Sequence, residues 1–169
     1  MGKLVDFVTS LHQATSRKYL DRMIDNKIDC MIEAKKYSEN YWDGDRRFGY
    51  GGYKYIPGRW KPVAEKLIHN YNLNNKSKIL DVGCGKGYLL YELKLILPGL
   101  QITGIDFSEY GIANSKEEIR NFIIKQNAQD EYNFKDKEFD LAISLGCFHN
   151  LRIHELKNTL PEFQRVAKS

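Results

Sequence analysis

An acid followed by three alternating glycines, Asp81-Val82-Gly83-Cys84-Gly85-Lys86-Gly87, constrains this chain more than any other stretch. The apolar run before it (Ile79, Leu80, Val82) has the character of a strand, and residues 88–97 after it that of a helix. A strand that turns through glycines into a helix presents backbone N–H groups to a ligand at the end of a parallel sheet. The glycines let that ligand come closer than any Cβ would allow.

The chain downstream repeats the pattern. Pro98-Gly99 stops the helix, and residues 101–106 read as a second strand ending in Asp106, 19 residues after Gly87. That remove suits a βαβ unit whose second strand delivers a carboxylate to a ribose; an N-cap or a solvated turn is the plainer alternative. Ser108 reads as the cap of a helix over 111–115. Residues 122–126 form a third strand followed by Asn127-Ala128, and residues 139–145 a fourth that runs into Gly146-Cys147-Phe148-His149-Asn150. Helical spacing returns over 151–166, where Pro161 is expected to kink or divide the helix. Strands alternating with helices predict an α/β fold, a parallel sheet covered on both faces.

Upstream, residues 4–11, 19–24 and 28–32 carry apolar residues at helical spacing, as does the segment Trp60, Val63, Ala64, Leu67, Ile68 and Tyr71. Between them, residues 37–60 hold eight aromatic residues and five glycines. That composition suits either a lid over a ligand or a loop pinned down by its rings. In that loop Arg47 and Arg59 can pair with an acidic substrate or with a carboxylate of a bound ligand, or remain solvated charges. The predicted organisation is therefore 1–60, N-terminal helices and aromatic Gly-rich lid, and 61–169, a ligand-binding α/β unit.

Charge narrows the partners. A net charge of +4, with basic and acidic residues interleaved, gives little support for a nucleic-acid surface. Cys30, Cys84 and Cys147 lack metal-ligand spacing and fit reduced thiols in a cytoplasmic protein with no metal. No apolar run approaches membrane-spanning length, and the N-terminus lacks a secretory h-region.

A dinucleotide is the main competitor for the glycine loop, and its fingerprint is G-x-G-x-x-G. Here the glycines fall at 83, 85 and 87, and Asp81 stands where a pyrophosphate would be repelled. With Gly104-Ile105-Asp106-Phe107-Ser108, Gln126-Asn127-Ala128 and residues 139–144, the loop resembles the ordered motifs of class I S-adenosylmethionine-dependent methyltransferases of small-molecule type. The cofactor of that family carries a sulfonium and an α-ammonium, which an acid tolerates.

The resemblance implies a Rossmann-like sheet with helices on both faces and a set of cofactor contacts. Gly83, Cys84 and Gly85 would line the methionine moiety, with Asp81 oriented toward the same end. Asp106 would hold the ribose and Phe107 flank the adenine. Asn127 takes a position where the family commonly has an acid, its amide oxygen still able to accept from the adenine amino group. Ala128 would offer its N–H to the ring, and Leu145 would border the methyl group. His149 is the candidate general base; a histidine that merely bonds its own loop is the alternative. Lid tyrosines could face the sulfonium by cation–π contact.

The family's sheet has about seven strands, whereas this chain ends after the helix that follows the fourth. Missing C-terminal strands would leave an open edge, and either a truncated product or another subunit covering that edge is expected. Three functions stay open: methyl transfer to a small-molecule acceptor, a cofactor-binding module without catalysis, and, more weakly, a nicotinamide-dependent oxidoreductase.

Overall fold

A computed structural model describes residues 5–7, 20 and 24–169. Apart from these positions, the helices expected over residues 4–11 and 19–24 lie outside the described residues. The chain then forms α1 (Lys27–Ala34), α2 (Glu39–Trp42), α3 (Lys61–Asn70), β1 (Lys78–Val82), α4 (Tyr88–Ile96), β2 (Gln101–Asp106), α5 (Glu109–Ala113) and α6 (Glu117–Arg120). It continues through β3 (Ile123–Lys125), β4 (Leu141–Ile143), a 3₁₀ turn at Phe148–Asn150 and α7 (Ile153–Val166).

The four strands lie parallel in the order β3-β2-β1-β4. Alternating side chains on each strand supply two separate apolar layers. Ile79, Ile102, Ile123 and Leu141 pack on one face with Val63 and Leu67 of α3 and Leu90 and Leu93 of α4. Leu80, Val82, Ile105 and Ala142 pack on the other with Tyr132, Phe139 and Val166. Burial on both faces explains why the strands read as apolar runs rather than half-polar alternations.

After β1 the chain winds outward through β2 and β3, then returns to place β4 on β1's other side. Such a reversal opens a crevice at the carboxyl ends of the strands. The glycine loop, Asp106, residues 126–128 and the segment after β4 all emerge there.

Three sequence expectations shift. Strands three and four are shorter than 122–126 and 139–145: β4 stops at Ile143, and Gly146 turns away with φ +87°. The Ser144 hydroxyl donates to the Val82 carbonyl (2.8 Å) and closes the strand end. Pro161 does not divide α7, although it removes the donor that would reach the carbonyl of Lys157. Thr159 before the proline and Val166 after it are both buried, so each half of the helix faces the protein interior. Finally, the outer edge of β4 is not bare. Phe139 N–H donates to Val166 O (3.0 Å), Lys168 N–H to Phe139 O (2.9 Å) and Ala142 N–H to Ser169 O (2.9 Å), so residues 166–169 run along it.

Candidate active site

The glycine loop crosses from β1 to α4 with Gly83, Gly85 and Gly87 all at positive φ (+77°, +59° and +66°). All three are also approached closely, Gly87 by the Ile119 and Ile123 side chains. A Cβ on Gly83 would sit 2.3 Å from Cys147 Cβ, and one on Gly85 would sit 2.6 Å from the Trp42 ring. The loop is thus wedged between the segment after β4 and the aromatic N-terminal segment.

Asp106, at the end of β2, accepts from Gly85 N–H through Oδ2 (2.6 Å) and from Ser108 N–H through Oδ1 (2.8 Å). These bonds hold the carboxylate across the loop and leave a lone pair on each oxygen. Burial raises its pKa against the lowering effect of the same N–H groups.

Asp81 differs. Its side chain is 4% exposed, and among the described residues no hydrogen bond or cation meets its carboxyl. Burial, with the negative charge of Asp106 adding to it, pushes its pKa to about 7. A shift of that size corresponds to about 4 kcal/mol of strain on the ionised form. Cys84 and Cys147 are likewise held protonated: burial drives the Cys84 thiol well up and the Cys147 thiol to about 11. Neither has the depressed pKa of a reactive thiolate.

The aromatic segment is fastened over this loop at three points. Trp42 Nε1 donates to Ser108 Oγ (2.7 Å), and that hydroxyl donates to Tyr37 O (2.6 Å) while accepting from Gly111 N–H at the start of α5 (2.9 Å). Lys86, 3% exposed, donates to both oxygens of Asp43 (2.9 and 2.7 Å) and to Tyr53 O (2.8 Å). The buried Glu92 accepts from Tyr55 OH (2.8 Å) and Gly58 N–H (3.1 Å). Between these points Trp42 stacks on Tyr50 (centroids 5.2 Å, 6° between planes), Tyr50 lies 4.6 Å from Tyr53, and Tyr53 stacks on Tyr88 at 5.1 Å. The segment is thus a loop pinned down by its rings, and Tyr37, Tyr41, Trp42 and Tyr50 among them also wall the crevice.

A cavity of about 250 Å³ lies at the strand ends, lined by Tyr37, Asp106, Phe107, Asn127, Ala128 and Leu145. A smaller one of about 50 Å³ reaches Asp81 beneath the glycine loop and shares Trp42, Tyr50, Gly83 and Leu145 with the first. The pair joins a mouth lined by aromatic rings and by the charged Lys35, Asp106, Arg152 and Glu155 to a buried acid at its foot. That shape suits an extended ligand whose inner end is cationic. Among the described residues no cluster of His, Cys, Asp or Glu has the arrangement of a metal site.

Residues 79–169, more than half of the chain, match the methyltransferase domain family. The chain belongs to this family. It is 32% identical over 120 residues to a ubiquinone biosynthesis O-methyltransferase of Rickettsia felis, a match covering 69% of this chain and 48% of the relative. A malonyl-[acyl-carrier protein] O-methyltransferase of Bacillus anthracis is 26% identical over 125 residues, covering 68% and 45%. The chain thus spans about half the length of the curated relatives it matches. An S-adenosyl-L-methionine-dependent methyltransferase structure from Methanococcus maripaludis superposes with a TM-score of 0.56 at 17% identity, over 92% of this chain and 62% of that one, and shares the fold.

This methyltransferase domain brings most of the sequence-marked residues together. Gly83, Asp106, Phe107, Asn127, Ala128 and Leu145 meet at the larger cavity, and Asp81, Gly83, Cys84, Gly85 and Leu145 at the smaller. His149 stands apart from both. It is exposed on the 3₁₀ turn and lines a neighbouring cavity instead. The amide of Asn127 and the N–H of Ala128 have no partner among the described residues, and the carbonyl of Ala128 accepts from Tyr132 OH (2.7 Å). Lys86, Asp43 and Glu92 escaped the sequence reading, because the contacts of Lys86 and Glu92 with the aromatic segment join residues 33 to 43 positions apart. Tyr50, which borders both cavities, was one lid tyrosine among several; only the ring packing singles it out.

Proposed function

We propose that this domain binds S-adenosylmethionine in the joined cavities and transfers its methyl group to a small-molecule acceptor. The observation that carries the reading is Asp81, a buried carboxyl that meets no counter-charge among the described residues, at the foot of the joined cavities. A ligand with a positive inner end would supply what the fold leaves out, whereas a pyrophosphate would be repelled. The residues present fit such a cofactor.

When bound, S-adenosylmethionine supplies a methyl group on a sulfonium, which leaves as a neutral thioether. The chain's contribution is to hold, orient and dry the site. Asp106 would accept from the ribose hydroxyls with the lone pairs its two backbone contacts leave free. Phe107 would cover the adenine, Asn127 Oδ1 accept from its amino group, and Ala128 N–H donate to the ring. Gly83, Cys84 and Gly85 would border the methionine moiety, with Asp81 ionised against its positive end and Leu145 beside the methyl group. Tyr50, stacked on Trp42, would offer its ring face to the sulfonium. Positioning of donor and acceptor in a dry site can supply much of the rate.

Calorimetric titration with S-adenosylmethionine, S-adenosylhomocysteine and NAD tests this. Both adenosyl ligands bind and NAD does not, and Asp106→Ala lowers the adenosyl affinities by about 30-fold or more, as expected for two lost bonds to a charged acceptor. Unchanged affinity in Asp106→Ala would place the site elsewhere.

A further inference from the structure

Lys86 lies buried in the glycine loop, between Gly85 and Gly87. Its ammonium donates to both oxygens of Asp43 and to Tyr53 O, and the Tyr88 hydroxyl reaches the same carbonyl (3.3 Å). Asp43 in turn accepts from Tyr53 N–H (3.0 Å) and from Tyr110 OH (2.9 Å). The ion pair therefore grips the Tyr53 backbone from both sides, at its N–H and at its carbonyl. An ion pair taken out of water does little for stability that two apolar side chains of like volume could not do. What such side chains could not do is bond a peptide N–H and a carbonyl at once, and so fix the place of one residue. That residue walls the small cavity together with Tyr50 and Tyr88, whose rings lie 4.6 and 5.1 Å from its own. Tyr53 and Tyr88 border that cavity and not the larger one, which Asp106, Phe107, Asn127 and Ala128 line. The pair thus acts on one end of the joined site.

We propose that Lys86 and Asp43 are a positioning pair for the methyl donor, holding the Tyr53 wall in place before the donor's amino-acid end enters, an inference that rests on the methyl-transfer reading above. Neither side chain lines either cavity, so the two act through Tyr53 and, by its ring contact, through Tyr50. Without the pair, binding has to order these two rings itself, which costs affinity at that end of the site alone.

The test compares S-adenosylhomocysteine with 5′-methylthioadenosine, which keeps the nucleoside and the thioether and lacks the amino-acid end. In calorimetric titration, Lys86→Met binds S-adenosylhomocysteine about ten-fold or more weakly, as expected for two further side chains immobilised on binding, and changes the affinity for 5′-methylthioadenosine by less than about two-fold. The double variant Lys86→Met/Asp43→Asn leaves no charge unpaired. It unfolds at a higher denaturant concentration than Lys86→Met yet shows the same selective loss, a split that a purely structural pair would not produce. It also carries the comparison if Lys86→Met alone does not fold; a double variant that fails to fold as well makes the pair a requirement of the fold and overturns the assignment. Equal losses for both ligands, or no loss for S-adenosylhomocysteine, overturn it too. So does a parent chain that binds S-adenosylhomocysteine but not 5′-methylthioadenosine, since the two ends of the site would then not be separable. A parent chain that does not bind S-adenosylhomocysteine overturns the methyl-transfer reading, and the positioning assignment with it.

Discussion

Burial, with no partner among the described residues, makes the Asp81 carboxyl sensitive to pH near neutrality. In the unfolded chain it ionises near pH 4, and in the folded, ligand-free chain at about 7. Between these values the folded state holds a proton that the unfolded state has lost, so stability falls as pH rises from about 4 to about 7 and then levels. Asp81→Asn removes this slope. Thermal unfolding of the ligand-free variant matches the parent near pH 5 and lies above it at pH 8, by about 1–3 kcal/mol once the unpaired amide is discounted. Ligand binding runs the other way, since a cationic ligand selects the ionised form. S-adenosylhomocysteine, with its α-ammonium, should bind more weakly as pH drops below 7 and release a proton on binding there, read as a buffer-dependent calorimetric enthalpy. A flat affinity from pH 5 to 8 would remove Asp81 from the cofactor site. The sequence marked this residue by its place before the glycines; that it has no partner is a property of the folded neighbourhood alone.

At the level of elements, the attachment of the aromatic segment depends on a few groups that also serve the sheet. Ser108 caps α5, receives Trp42 and supports the carbonyl of Tyr37, which stands at φ +48°. Ser108→Ala removes all three bonds at once and should cost about 2–3 kcal/mol in denaturant unfolding, more than a cap alone. Lys86→Met strands Asp43 among Tyr53 N–H and Tyr110 OH and should cost about 3 kcal/mol. A double-mutant cycle with Asp43→Asn should recover most of that loss; additive losses would mean the pair is not coupled. The capping role of Ser108 was legible from its place after the second strand. Its hold on Trp42, 66 residues away, was not, because no local periodicity records a contact across the fold.

Across the whole molecule, the order of elements and the crevice at the strand ends were legible because buried parallel strands leave unbroken apolar runs and glycines mark the turns between them. Strand limits were less so: Phe139 and Leu145 continue the apolar pattern of β4, yet Leu145 leaves the sheet for the cavity. The same blurring hid the pairing of residues 166–169 along β4. Deleting residues 167–169 should speed amide exchange at Ala142, which loses its acceptor on Ser169, and lower the denaturant midpoint; unchanged exchange would show that this edge contributes nothing. The aromatic segment has one more consequence, an optical one. The chain has two tryptophans, Trp42 and Trp60, and both border the small cavity above Asp81, with Trp42 packed on Gly85 and stacked on Tyr50. No indole elsewhere contributes background, so the protein's own emission reports on the glycine loop. Anything that enters beneath these rings will change its colour or brightness without an added dye.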